Sequence, residues 1–97
     1  MLNKRKIACK VGRLPKGVCG LAEHDTQTIT VDLNQCDNVG SVILHELCHL
    51  ENPEWSETKV LAYEKREWKK MSQLNKWQLL SWFFGKAYLK GWGDEED

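Results

Sequence analysis

The order of patterns along these 97 residues predicts an α+β domain. Short β-branched and alternating runs come first, and helical patterns fill the remainder. No repeat, low-complexity stretch or linker interrupts that order, and the length suits a single domain, taken as residues 1–97. The expected arrangement is a small antiparallel or mixed sheet of about three strands. A helix carrying two histidines follows it, then a glutamate-bearing helix and an aromatic C-terminal helix.

Each element has its own signal. Ile7 to Val11 reads as a short first strand, and Gly12 to Gly17, with Pro15 inside, as a loop. Val18 to Glu23 and Gln27 to Asp32 read as a hairpin turned by His24-Asp25-Thr26. The second of these strands alternates polar and apolar residues and is rich in Thr, Ile and Val. Asp37 or Asn38 can cap the first helix, which runs to about Glu51. Asn52 can cap a second helix with Pro53 in its first position, where the missing N–H costs nothing. That helix extends to about Met71 and buries a Leu61–Trp68–Met71 face. Asn75 can cap a third helix through about Lys90. Its Trp77, Leu80, Trp82, Phe83, Phe84, Tyr88 and Leu89 are read mostly as core, with Trp82 and Trp92 left open between core and a partner surface. Gly91-Trp92-Gly93 ends it, and an acidic tail follows.

The chemistry is concentrated at His45-Glu46-Leu47-Cys48-His49. Residues four apart lie on one helix face, so two imidazoles in this H-E-x-x-H pattern can reach one Zn²⁺. The run Val39 to Leu44 and the residues Leu47 and Leu50 are largely apolar. They put the histidines on a mostly buried helix, where an unsatisfied ring would be costly. Glu46 is the expected catalytic base, taking a proton from a zinc-activated water. A zinc site of this kind needs a third protein ligand and one open position. Six residues past His49 stands Trp55, which cannot ligate. The short turn at residues 52–53 makes the next helix antiparallel and sets Glu57 level with the histidines. Glu64, two turns further on the same face, is the alternative, and Glu51 and Glu54 sit too close to the turn. His45, His49 and Glu57 are therefore the expected metal ligands. His24, in the hairpin turn, is expected to be solvated.

With His45-Glu46-x-x-His49 followed by Pro53-Glu54-Trp55-Ser56-Glu57-x-x-Val60, the chain resembles the zincin-like metallopeptidases of the gluzincin class, in particular the small minigluzincins. The matching stretch runs from Val42 to about Glu64, and the upstream hairpin also fits. The resemblance implies a minimal zincin-like domain, one Zn²⁺, a glutamate base and hydrolysis of peptide bonds. It also implies that the strand Gln27–Asp32 lies at the lip of the cleft, its free edge pairing with an extended substrate. It further suggests that the C-terminal segment, residues 91–97, plugs the cleft. No His or Tyr is clearly placed to stabilise the tetrahedral oxyanion. A catalytically weak module, holding zinc for structure and binding a protein partner, is therefore the alternative function.

Charge and cysteine usage bound the rest. Fourteen basic and fourteen acidic residues balance, so no global basic field draws in nucleic acid. No signal peptide or membrane-length apolar run is apparent. A soluble cytoplasmic protein with peptide or protein substrates, and without nucleic-acid or membrane partners, is the expectation. Cys9, Cys19, Cys36 and Cys48 match no common structural zinc spacing and are read as reduced, with Cys48 a small buried apolar residue. A Cys9–Cys19 pair is the one disulfide considered.

Overall fold

A computed structural model describes residues 6–89. It is an α+β arrangement: strands β1 (Ala8–Val11), β2 (Gly20–Glu23) and β3 (Thr28–Val31) precede helices α1 (Val39–Glu51), α2 (Glu57–Lys70) and α3 (Gln73–Tyr88). The sheet is mixed, in the order β1-β3-β2. β1 runs parallel to β3 with Cys9 opposite Ile29, and β2 closes an antiparallel hairpin with Ala22 opposite Ile29. Gln27 takes a positive φ of 50° at the hairpin turn.

That order corrects one expectation. The strand around Thr28–Val31 has no free edge, because it is the central strand and all four of its residues are buried. Its run of Thr, Ile, Thr and Val suits burial on both faces as well as it suits an alternating edge. The edge on this side of the sheet is β2, whose side chains alternate between half-buried and exposed.

Helix starts also differ from their expected positions. Asn38 caps α1 as anticipated, its side chain accepting the Ser41 N–H at 3.2 Å. Asn52, however, ends α1 instead of starting α2, its N–H bonding back to the Cys48 carbonyl. Asn52-Pro53-Glu54-Trp55 then forms a turn in which the Asn52 carbonyl accepts the Trp55 N–H at 3.0 Å. Proline suits the second position of such a turn as readily as the first position of a helix. Ser56 caps α2 and Ser72 caps α3, their hydroxyls accepting from Lys59 N and Asn75 N. Asn75 therefore lies inside the first turn of α3.

The core lies between the sheet, α1 and α3. Ile7, Cys9, Ile29, Val31, Ile43, Leu47, Leu50, Leu79 and Phe83 form it, with Phe83 fully enclosed. α2 packs against α1 alone among the helices and strands with substantial contact. Its buried residue is Val60, while Leu61, one position on, points outward. Trp68 covers Gly40 so closely that a Cβ there would meet its ring at 2.2 Å. On α3 the aromatic residues divide. Phe83 is core, Leu80, Trp82 and Phe84 pack partly against it, and Trp77, Tyr88 and Leu89 are exposed. Trp92 and the expected C-terminal plug, residues 91–97, lie outside the described residues, as does Lys90. Among the described residues no helix is long and apolar enough to cross a membrane.

Candidate metal centre

α1 delivers His45 and His49 from adjacent turns of one face, and the first turn of α2 delivers Glu57. An acidic side chain at a helix N-terminus sits favourably against the helix dipole, so Ser56 and Glu57 together stabilise the start that aims the carboxylate. The two Nε2 atoms lie 3.2 Å apart. Glu57 Oε1 is 2.8 Å from His49 Nε2, and Glu57 Oε2 is 3.1 Å from His45 Nε2. These three residues can hold a metal ion.

Whether the donor set fits a cation can be tested on its geometry and proton inventory. Ligands about 2.0–2.1 Å from a tetrahedral centre are separated by roughly 3.3 Å, within a few tenths of an ångström of the Nε2–Nε2 and His45 Nε2–Glu57 Oε2 distances, while the shorter His49 contact is to the other Glu57 oxygen. His45 also has a carboxylate at each ring nitrogen, Glu64 Oε1 at 2.9 Å from Nδ1 and Glu57 at Nε2. A neutral imidazole has one N–H to give, and a carboxylate can only accept. With the Nδ1–H given to the half-buried Glu64, the Nε2 lone pair is left aimed between His49 and Glu57. A cation there resolves what would otherwise be lone pairs facing one another. The set fits.

Glu64 is thereby placed. It does not join the triangle but orients one of its members from behind. In an antiparallel pair, the later residue of α2 lies beside the earlier residue of α1, so Glu57 reaches His49 and Glu64 reaches His45. Such carboxylate–histidine contacts fix the tautomer and the ring orientation of a ligand.

Glu46 points from the same helix toward β2. Gly20 makes room for it: a Cβ on Gly20 would stand 2.7 Å from Val42 Cγ1 and 3.0 Å from Glu46 Oε2. Only glycine lets the edge strand approach the helix this closely. Glu46 is 8 % exposed. Burial, with the nearby Glu57 and Glu64 carboxylates adding to it and His45 opposing, raises its pKa to about 7. A cation held by His45, His49 and Glu57 would draw that value back down.

Two shallow depressions of about 330 and 290 Å³ meet at this cluster. Gly17, Val18, Cys19 and Val42 wall the first; Leu21, Ala22 and His24 wall the second; His45, Glu46 and Glu57 line both. His24, expected to be merely solvated, is exposed but bonded. Its Nε2 lies 2.9 Å from the His49 carbonyl oxygen, tying the hairpin turn to the end of the helix face that carries His45 and His49. Nothing in the spacing of His24 from the motif announces that contact, which depends on where the hairpin lands. A larger depression, about 470 Å³, lies behind α1 against α2 and α3 and is lined by Leu44, Leu47, Tyr63 and Met71 among others. It gathers none of the three candidate cation donors, which lie along the smaller pair.

No family model, curated protein or solved structure matches the chain. The site is therefore read from its own geometry.

Proposed function

We propose that this domain is a zinc-dependent peptidase of gluzincin type, with His45, His49 and Glu57 as metal ligands and Glu46 as proton carrier. The observation that carries the reading is the convergence of two Nε2 atoms and one carboxylate into a ligand-sized triangle, with Glu46 buried beside it on an open groove. Two imidazoles and one carboxylate are a borderline donor set that suits zinc well. When bound, zinc supplies Lewis acidity toward a carbonyl and toward water.

The chain's own residues do the rest. Glu46 holds a proton at its carboxylate and passes it to the leaving amine. Glu64 keeps the His45 ring turned with Nε2 inward. β2 offers its outer edge along the groove, so an extended peptide can add as a further strand through main-chain hydrogen bonds. Backbone pairing of this kind selects an unfolded segment more than a particular side chain.

Metal analysis and two variants test the proposal together. Purified protein should hold one zinc per chain. His45→Ala should lose it, and Glu46→Gln should keep it while cleavage of a denatured protein falls by about 10²–10⁴-fold. Cleavage by Glu46→Gln at the wild-type rate would rule out the assigned role.

A second reading has a specific observation behind it. Apart from His24, which is already bonded to the His49 carbonyl, no His or Tyr outside the metal set lines the groove among the described residues. In that reading zinc is structural and the exposed Leu74, Trp77 and Tyr88 of α3 hold a protein partner. Stoichiometric zinc with no turnover over a broad peptide panel would favour it.

A further inference from the structure

We propose that Cys19 and Cys36 are a dithiol modification site, closing to a disulfide in the folded protein when a small-molecule disulfide such as oxidised glutathione is present. The inference does not depend on the metal centre.

The four cysteines fall into two classes. Cys9 and Cys48 are buried, at 6 % and 1 % exposure, Cys9 in the sheet and Cys48 on the inner side of α1. Cys19 and Cys36 are half-buried at the open end of the β2–β3 hairpin, one just before β2 and the other in the segment after β3, and meet there. The Cys36 thiol donates to the Cys19 carbonyl at 3.2 Å, and the Cys19 thiol donates to the carbonyl of Gln35 at 3.0 Å. The Cys19 carbonyl is held further by the Asp32 N–H at 2.9 Å, so the backbone on both sides of the contact is already anchored. A bridge would join two segments that backbone hydrogen bonding already holds side by side.

Access differs between the two sulfurs. Cys19 lines the groove beside His45 and Glu46. Cys36 is set behind it, and burial, reinforced by Cys19, pushes its thiol up to about 11. Cys19 is thus the sulfur an incoming reagent meets first. Its thiolate attacks one sulfur of the small disulfide and expels a thiolate that takes up a proton. The Cys36 sulfur, losing its proton, then attacks the Cys19 sulfur of the mixed disulfide and expels the second small thiolate. Two electrons pass from the protein's thiols to the reagent's S–S bond, and two protons accompany them. The product ties the residue before Gly20 to the loop that leads into α1, fixing the end of β2 that faces Glu46.

The experiment uses the full chain, folded, treated with oxidised glutathione and then digested without reduction by trypsin and a Glu-specific protease. Cleavage at Lys10, Glu23 and Glu46 puts each of the four cysteines on its own peptide. The expected result is a linked pair holding Cys19 and Cys36, a loss of two of the four thiols titratable in denaturant, and slower amide exchange over β2. Cys19→Ser should abolish the link and leave no alternative bridge. A stable glutathione adduct on Cys19, a bridge from either residue to Cys9 or Cys48, or a link that forms only in urea would each overturn the proposal.

Discussion

Helix α1 presents two unlike faces to the rest of the molecule. Toward the sheet and α3 it turns Ile43, Leu47 and Leu50, which join Ile29, Val31 and Phe83 in a continuous apolar core. Toward α2 and β2 it turns His45, Glu46 and His49, which meet Glu57 and Glu64. The first face is stabilised by burial alone, at roughly 25 cal/mol per Å² of apolar surface removed from water. The second brings three carboxylates around two imidazoles with Glu46 and His45 largely desolvated. Such a cluster costs free energy until positive charge is supplied. One face builds the domain; the other gives up part of that stability to hold a cluster of ionisable groups together. The two should therefore respond oppositely to truncation and to removal of metal.

Phe83→Ala gives the largest expected effect on the apolar side. The ring is fully enclosed, and a buried Phe→Ala change costs about 3–5 kcal/mol. That is a large share of what a domain of this size possesses. Urea unfolding with zinc present should show much of the variant population unfolded near room temperature. A loss below about 1 kcal/mol would mean that the core is not centred where Phe83 sits.

On the polar side the expected effect is next in size and appears in a different measurement. Glu64→Gln keeps the length of the side chain but removes the charge behind His45 Nδ1. Zinc affinity should fall by about 10–100-fold, as for other groups that orient a metal-bound histidine. Apo-protein stability should hold or rise, because one of the crowded carboxylates is gone. Competition with a chromophoric zinc chelator measures the first quantity and chelator-treated thermal unfolding the second. Unchanged affinity would place Glu64 among ordinary helix-surface carboxylates.

The two faces were also unequally legible. Strand and helix order, and the His45, Glu46 and His49 group, follow from local patterns: period-two alternation, i and i+4 spacing, and an apolar run before the motif. Glu57 followed from the short turn that makes α2 antiparallel to α1. What sequence reasoning missed depends on how separate elements dock. The central position of β3 arises because β1 joins it in parallel on the side away from β2, a non-local pairing that no residue of β3 encodes by itself. Leu61 and Val60 are neighbours of similar hydropathy, and only the rotation of α2 on α1 decides which is buried. Glu64 read as a competing ligand because spacing along one helix cannot show which nitrogen of a ring on another helix it will meet. Asn52 and Ser56 are both good capping residues. The Asn-Pro step was the signal favouring a turn at the first and leaving the cap to the second.

A smaller change tests the junction on which the metal face depends. Ser56 caps α2 immediately before Glu57. Ser56→Ala should cost about 1 kcal/mol in unfolding free energy, and the frayed first turn should also weaken zinc binding. Ser72→Ala, the equivalent change at α3, should cost a similar amount of stability and leave zinc affinity unchanged. Equal effects of both variants on zinc would show that the metal responds to global stability and not to the start of α2.

The smallest expected effect belongs to Asp32, and it should disappear in acid. Asp32 caps the far end of the hairpin, its carboxylate accepting the N–H groups of Leu14 and Asn34 and the side-chain amide of Gln35. Gln35 in turn bonds the Leu14, Pro15 and Val18 carbonyls and the Gly17 N–H, so one acid–amide pair holds the whole β1–β2 loop beside the groove. The Leu14 bond is foremost in lowering the Asp32 pKa below its ordinary 3.8, followed by the Gln35 bond. A carboxyl whose pKa is lower in the folded state than in the unfolded one stabilises the fold above the unfolded value. That contribution fades as pH falls through the folded value. The stability difference between wild type and Asp32→Asn should therefore be level above about pH 4 and shrink toward zero below it. Measuring both proteins with chelator present removes acid-driven zinc loss from the comparison, since the imidazoles and carboxylates of the metal face are common to both. A difference that stays constant down to low pH would mean that the loop is held by the Gln35 amide and the backbone, with the Asp32 charge contributing nothing.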